Sequence, residues 1–203
     1  MEKELEHPKA NETVNVIIRM RHEDAGRSVT VELPIPEEEI ARTIADNGGE
    51  DNLWRCIDCP AAALVAPITE TGSLRQANAA AMMLKDITEK RLTLFKALLE
   101  AKGFPPLREA MNLYSRLDEY GLDPHIHCVE DAAKWELRFL MDEAEAEKLI
   151  PHVNLITYGQ VVMRDYHMTL TGYGGLSPLA GKPAFQEAEE ASEANRQGTG
   201  AKR

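Results

Sequence analysis

The sequence predicts an α+β fold of two to three small modules, arranged as an elongated chain. Three observations carry that prediction: short β-branched runs open the chain, amphipathic helical stretches fill its middle, and helical and β-rich segments share its last third. At 203 residues it can hold one sizeable core or several small ones. Its apolar share of 43% and charged share of 28% are those of an ordinary globular protein, which excludes wholesale disorder.

Residues 1–13 are polar, contain Pro8, and show no periodic apolar face, so a disordered lead-in is expected. Residues 14–70 form an N-terminal α/β module, a mixed sheet with one helix. Val14-Asn-Val-Ile-Ile-Arg-Met20 is β-rich, and in Ser28-Val-Thr-Val-Glu-Leu33 the residues Val29, Val31 and Leu33 share one face. His22-Glu-Asp-Ala-Gly-Arg27 suits the turn between them, with Gly26 free to take positive φ. Pro36 suits the first turn of a short helix to about Ala45, and Glu37, Glu38 and Glu39 lie where the helix dipole favours anions. After the Asn47-Gly-Gly49 break, Leu53–Asp58 and Ala63–Ala66 are expected as strands.

Residues 71–117 are predicted to be a helical module. Ser73 and Gln76 make a capping box ahead of Leu74, Ala77, Ala81 and Leu84 at helical spacing. Thr88 caps a second helix bearing Leu92, Phe95, Leu98 and Leu99, which ends at Gly103. Pro106 opens a third, with Leu107, Ala110, Met111, Tyr114 and Leu117 on one stripe. Residues 118–180 form a C-terminal α/β module. A helix runs from about Val129 to Met141 or beyond, Leu155–Tyr158 and Val161–Leu170 are expected as strands, and Gly172, Gly174 and Gly175 mark the exit. Residues 181–203 hold one large apolar residue, Phe185, and are expected as a disordered tail. No internal repeat is apparent.

With 34 acidic and 23 basic residues the net charge is −11. Such a surface repels nucleic acid and anionic membrane and favours basic partners, although solubility alone also makes many proteins acidic. No stretch approaches the roughly 18 apolar residues of a membrane span, and the amino terminus lacks a signal-peptide core. Cys56, Cys59 and Cys128 have no framework spacing, so a reducing, cytoplasmic setting is expected. Cys56-Ile-Asp-Cys59 with His125, His127 and Cys128 could supply ligands to a tetrahedral metal, and a metal-binding or regulatory module is the alternative function. Small thiols in a reducing compartment explain the same residues without a ligand role. Neither phosphate-binding glycine patterns nor a nucleophile elbow occur, so no enzyme activity and no cofactor are expected.

The carboxylates are unevenly spread. Residues 14–70 carry 5 basic and 11 acidic groups, residues 71–103 carry 6 and 3, and residues 104–150 carry 5 and 11. Two acidic modules thus flank a basic helical pair, where a continuous track of negative charge is most exposed to interruption.

A strand leads into Leu33-Pro-Ile-Pro-Glu-Glu-Glu39, and Trp54-Arg-Cys-Ile-Asp-Cys59, Ser73-Leu-Arg-Gln-Ala-Asn78 with Leu84, Glu109-Ala-Met-Asn-Leu113 with Leu117-Asp-Glu-Tyr-Gly-Leu-Asp-Pro124, and Asn154-Leu-Ile-Thr-Tyr-Gly159 follow. In that order, over about residues 14–175, these local patterns resemble the ArdA antirestriction family. Asn154 and Gln160 depart from the family's usual acidic residues or Arg-Asp pair, which marks a diverged member. The resemblance implies a cytoplasmic DNA mimic carried by mobile genetic elements, a homodimer joined through its carboxy-terminal region. Its partner would be the basic DNA-binding cleft of a type I restriction-modification enzyme, with no direct contact to nucleic acid or membrane. The expected partner-binding residues are Glu37, Glu38, Glu39, Asp46, Glu50, Asp51, Asp58 and Glu70, extended by Asp118, Glu119, Asp123, Glu130 and Asp131.

Overall fold

The computed structural model describes residues 14–19, 28–46 and 53–179. The expected lead-in, the turn at residues 22–27, the break at residues 47–49, Glu50, Asp51 and the expected tail lie outside the described residues. The fold is mixed α+β. Packing divides the chain into two compact units, Met1–Ser115 and Arg116–Arg203, so the sheet of residues 14–58 and the helices that follow it share one unit.

In the first unit β1 (Val14–Arg19) is the central strand. It pairs antiparallel with β2 (Ser28–Leu33) and with β3 (Leu53–Asp58), in the order β2-β1-β3. The β1–β2 register sets Val14 opposite Leu33 and Val16 opposite Val31. Helix α1 (Glu37–Asp46) begins where Pro36, which has no N–H of its own, offers its carbonyl to Glu39 N and Ile40 N, both at 3.0 Å. Ile40 is the side chain that this helix buries.

Residues 63–66 are not a strand. A 3-10 turn over Ala62–Leu64 leads into helix α2 (Val65–Glu70). Pro67 is tolerated there because it falls in the first helical turn, where its missing N–H would have had no intrahelical partner. Thr69 then joins the helix to the sheet: its Oγ1 donates to Val65 O at 2.8 Å and accepts from Cys56 N at 3.1 Å.

Helices α3 (Leu74–Leu84) and α4 (Glu89–Ala101) match the expected spacing, and α5 (Leu107–Ser115) does so up to Ser115, whereas Leu117, expected on its stripe, lies in a 3-10 turn of the second unit. Ser73 Oγ accepts from Gln76 N, and Thr88 Oγ1 accepts from Arg91 N, each at 3.4 Å, supplying the caps. Helix α3 packs on β1 and β2, α2 on β3, and α4 against α5. Leu84, Phe95, Leu98 and Leu99 are fully buried, each contributing roughly 1.5–3 kcal/mol relative to exposure.

The second unit holds β4 (Tyr120–Asp123), α6 (Val129–Leu140), α7 (Glu143–Leu149), α8 (Leu155–Asp165), β5 (Thr169–Thr171) and β6 (Gly174–Pro178). Its antiparallel sheet has the order β4-β6-β5. Gly174 sits at φ +130°, and a Cβ there would lie 2.2 Å from Asp123 O, so only glycine lets these strands meet. The core gathers Ile126, Ala132, Val162 and Met168, with Trp135, Tyr158, Met163 and Leu170 packed against them.

The strands expected over 155–158 and 161–170 are instead α8 followed by the short β5. The β-branched and aromatic composition favours a strand, but Asn154 Oδ1 caps Thr157 N at 3.1 Å and starts a helix. Burial then follows the helical period: Gly159 and Val162 face inward, whereas Ile156 and Val161 are exposed. Gly159 is required by packing, because a Cβ there would lie 2.0 Å from Val129 O on α6. Among the described residues, no helix is long and apolar enough to cross a membrane.

Candidate functional site

In the first unit Glu32, Glu37, Glu38, Glu39 and Asp46 lie on α1 and the strand before it. Glu37, Glu38 and Glu39 occupy the first turn of α1, where the helix dipole stabilises negative charge. All three are exposed, as are Asp46 at the helix end and Glu32 on β2. Glu39, Thr43 and Asp46 recur at helical spacing on one stripe of α1. That stripe faces β2 across an open groove of about 410 Å³, lined also by Glu32, Val29, Val31, Ile35 and Arg42.

Glu37 is tied to Arg75 of α3 by an ion pair. Among the described residues Glu32, Glu38, Glu39, Asp46 and Glu70 carry no ion pair. Asp58 is exposed at the end of β3, and Glu70 is exposed at the end of α2. Glu32 was not among the expected residues. The signal for it was present, since the alternation that turns Val31 and Leu33 inward turns Glu32 outward.

The acids of the second unit are more strongly committed to local structure. Arg116 holds Glu119 in a fork, with Nε 3.0 Å from both carboxylate oxygens and Nη2 2.6 Å from Oε2, and this bonding lowers the Glu119 pKa. Asp123 Oδ1 accepts from His125 N at 2.9 Å and stabilises the turn after β4. Asp131 Oδ2 accepts from His127 N and Cys128 N, both at 3.2 Å. The bond from the Cys128 thiol is the largest influence holding the Asp131 carboxyl below its ordinary range, and those two amides add to it. Lys134 stands 3.8 Å from the same carboxylate. Glu130 is half-exposed in the first turn of α6, and Asp118 is exposed beside Glu119.

Glu136, another residue that the helical pattern did not single out, lies on the inward side of α6 at 9% exposure. Tyr166 OH donates to its Oε1 at 3.2 Å, whereas its Oε2 has no partner. The hydrogen bond to Glu136 raises the Tyr166 pKa, while burial and then the Glu136 charge raise that of Tyr158. Trp135 stacks on Phe139 at 6.0 Å and meets Tyr166 edge-on at 5.2 Å.

The cysteines behave as packed thiols. Cys56 Sγ donates to Asp58 O at 3.4 Å, and burial raises its pKa. Burial pushes the Cys59 thiol up to about 12, which keeps it protonated and a poor metal ligand. Cys128 belongs to the second unit, and its pKa is raised chiefly by its bond to Asp131. Among the described residues, no three His, Cys, Asp or Glu side chains assemble as a group that could hold a metal ion.

The β2–α1 face presents exposed carboxylates from a helix and an adjoining strand. No protein-family model matches this chain, and no curated protein matches it either.

Proposed function

We propose that this chain is a DNA-mimicking antirestriction protein of the ArdA type, occupying the basic DNA-binding cleft of a type I restriction-modification enzyme. The observation that carries the reading is the β2–α1 face, where Glu32, Glu38, Glu39 and Asp46 are exposed and line or flank one open groove. Duplex DNA presents about one negative charge per 1.7 Å of its axis, and a cleft built for it attracts any rigid surface bearing similarly spaced charge. Carboxylates fixed on a helix and an adjoining strand meet that requirement without offering bases to read.

In this reading the protein is a stoichiometric inhibitor with no catalytic step and no cofactor. It acts in the cytoplasm as a homodimer. Exposed Phe139, Leu140, Leu149, Ile156 and Leu179 on the second unit support self-association, since exposed large apolar side chains favour a covering partner.

The test is a titration of DNA cleavage by a type I enzyme with the purified chain. Inhibition should saturate near stoichiometric ratios and weaken by about tenfold or more between roughly 50 and 200 mM salt. Full cleavage at the lower salt with the chain in excess removes the proposal.

A further inference from the structure

Ile35 lies between Pro34 and Pro36, neither of which has a backbone N–H, so this link between β2 and α1 has a single amide donor. That donor and the Ile35 carbonyl are both taken by one side chain. Asn78 of α3 accepts from Ile35 N through Oδ1 at 2.8 Å and donates from Nδ2 to Ile35 O at 3.0 Å, as a neighbouring strand would. Asn78 is 9% exposed and sits among Leu74, Ala77 and Ala81 on the inward stripe of α3, where an apolar residue would otherwise be expected. One helical turn before it, Arg75 pairs with Glu37. The adjoining Pro36 carbonyl accepts the first two amides of α1. An amide and a guanidinium three residues apart on α3 therefore grip the two residues on either side of that helix start.

Resting on the function proposed above, we infer that Asn78 is the positioning residue that fixes the acidic start of α1, and that Arg75 partly masks its charge. Glu37, Glu38 and Glu39 are presented in one orientation because Asn78 locks the backbone two residues upstream. The two α3 residues then act with opposite sign on binding: removing Asn78 blurs the charge pattern, whereas removing Arg75 uncovers a carboxylate.

The experiment uses the full chain as wild type, Asn78→Ala, Arg75→Gln and Leu98→Val, the last a core change made as a stability control. Amide hydrogen exchange at Ile35, Glu39 and Ile40 is read beside inhibition of a type I enzyme. Asn78→Ala is expected to exchange faster at these amides and to inhibit about tenfold more weakly, equivalent to about 1.4 kcal/mol. Arg75→Gln, an exposed change, is expected to inhibit more strongly than wild type. Inhibition by Asn78→Ala equal to wild type overturns the inference. So does an equal loss in Leu98→Val, because stability alone would then account for it. Unchanged or weaker inhibition by Arg75→Gln overturns the masking role. A wild type that does not inhibit removes the proposed function instead, and the clamp is then judged on exchange alone: unchanged protection of Ile35 in Asn78→Ala overturns it.

Discussion

Replacing Gly159 by Ala tests why α8 is a helix and why it lies where it does. The added Cβ would fall 2.0 Å from Val129 O, and 2.8 Å from both the Val129 carbonyl carbon and Cγ1. A carbon–oxygen approach is comfortable at about 3.3 Å, so α6 and α8 would have to separate by about 1.3 Å at this point. That separation loosens Ala132 and Val162 in the core. Alanine in place of glycine stabilises a helix by roughly 0.5–1 kcal/mol, whereas forced overpacking costs about 1–3 kcal/mol, with backbone as the obstacle placing it at the upper end. The net expectation is a loss of about 2 kcal/mol. Denaturant unfolding followed by Trp135 fluorescence in a Trp54→Phe background reports on this unit. Gly121→Ala is the contrast, because its Cβ would meet the flexible end of exposed Leu179 at 2.9 Å, and it should change stability little. A Gly159→Ala midpoint equal to or above wild type refutes the packing account.

Asp131→Ala removes the carboxylate that binds His127 N and Cys128 N and should destabilise the second unit by about 1 kcal/mol, measured by thermal melting. Because folding depresses the Asp131 pKa below its ordinary 3.8, its contribution is fully present above that value. It is lost as pH falls through the lower folded value; the wild-type advantage over Asp131→Ala should thus shrink in acid below about pH 4. For thiols, a pKa of about 12 leaves roughly one Cys59 in ten thousand as thiolate at pH 8. A disulfide reagent should modify Cys59 far more slowly in the folded chain than in denaturant, and equal rates would contradict its burial. Tyr166→Phe leaves Glu136 with neither oxygen bonded, and should destabilise the unit by about 1–3 kcal/mol in the same melt.

Much of the first unit was legible because its determinants are local. Alternation of Val29, Val31 and Leu33 gave β2, and Ser73 and Thr88 announced their helices through contacts three residues away. Residues 63–66 were expected as a strand, but they enter a 3-10 turn and the first turn of α2, where Pro67 is tolerated. What was not legible depends on distant partners. Gly159 meets Val129, Asn78 reaches Ile35 at a separation of 43, and Glu37 finds Arg75, and no spacing rule encodes any of these. The α8 segment shows the consequence, since its β-branched composition competed with an Asn154 cap and a packing requirement visible only once α6 was placed. At the candidate site, the exposure of Glu37–Glu39 followed from the sequence. The commitment of Asp123 and Asp131 to their own backbone did not enter that reading, although an aspartate just before a turn or three residues into a helix start is a local signal for it. The basic stretch over residues 71–103 also gains a partial explanation, because Arg75 is spent on Glu37.

The most direct test is equilibrium displacement of labelled duplex DNA from a type I restriction-modification enzyme at low salt. It compares wild type with the folded Glu38→Lys, Glu39→Lys, Asp46→Lys triple variant. The account predicts that wild type displaces DNA at near-stoichiometric amounts and that the triple variant does not. No displacement by excess wild type, or equal displacement by both proteins, would contradict it.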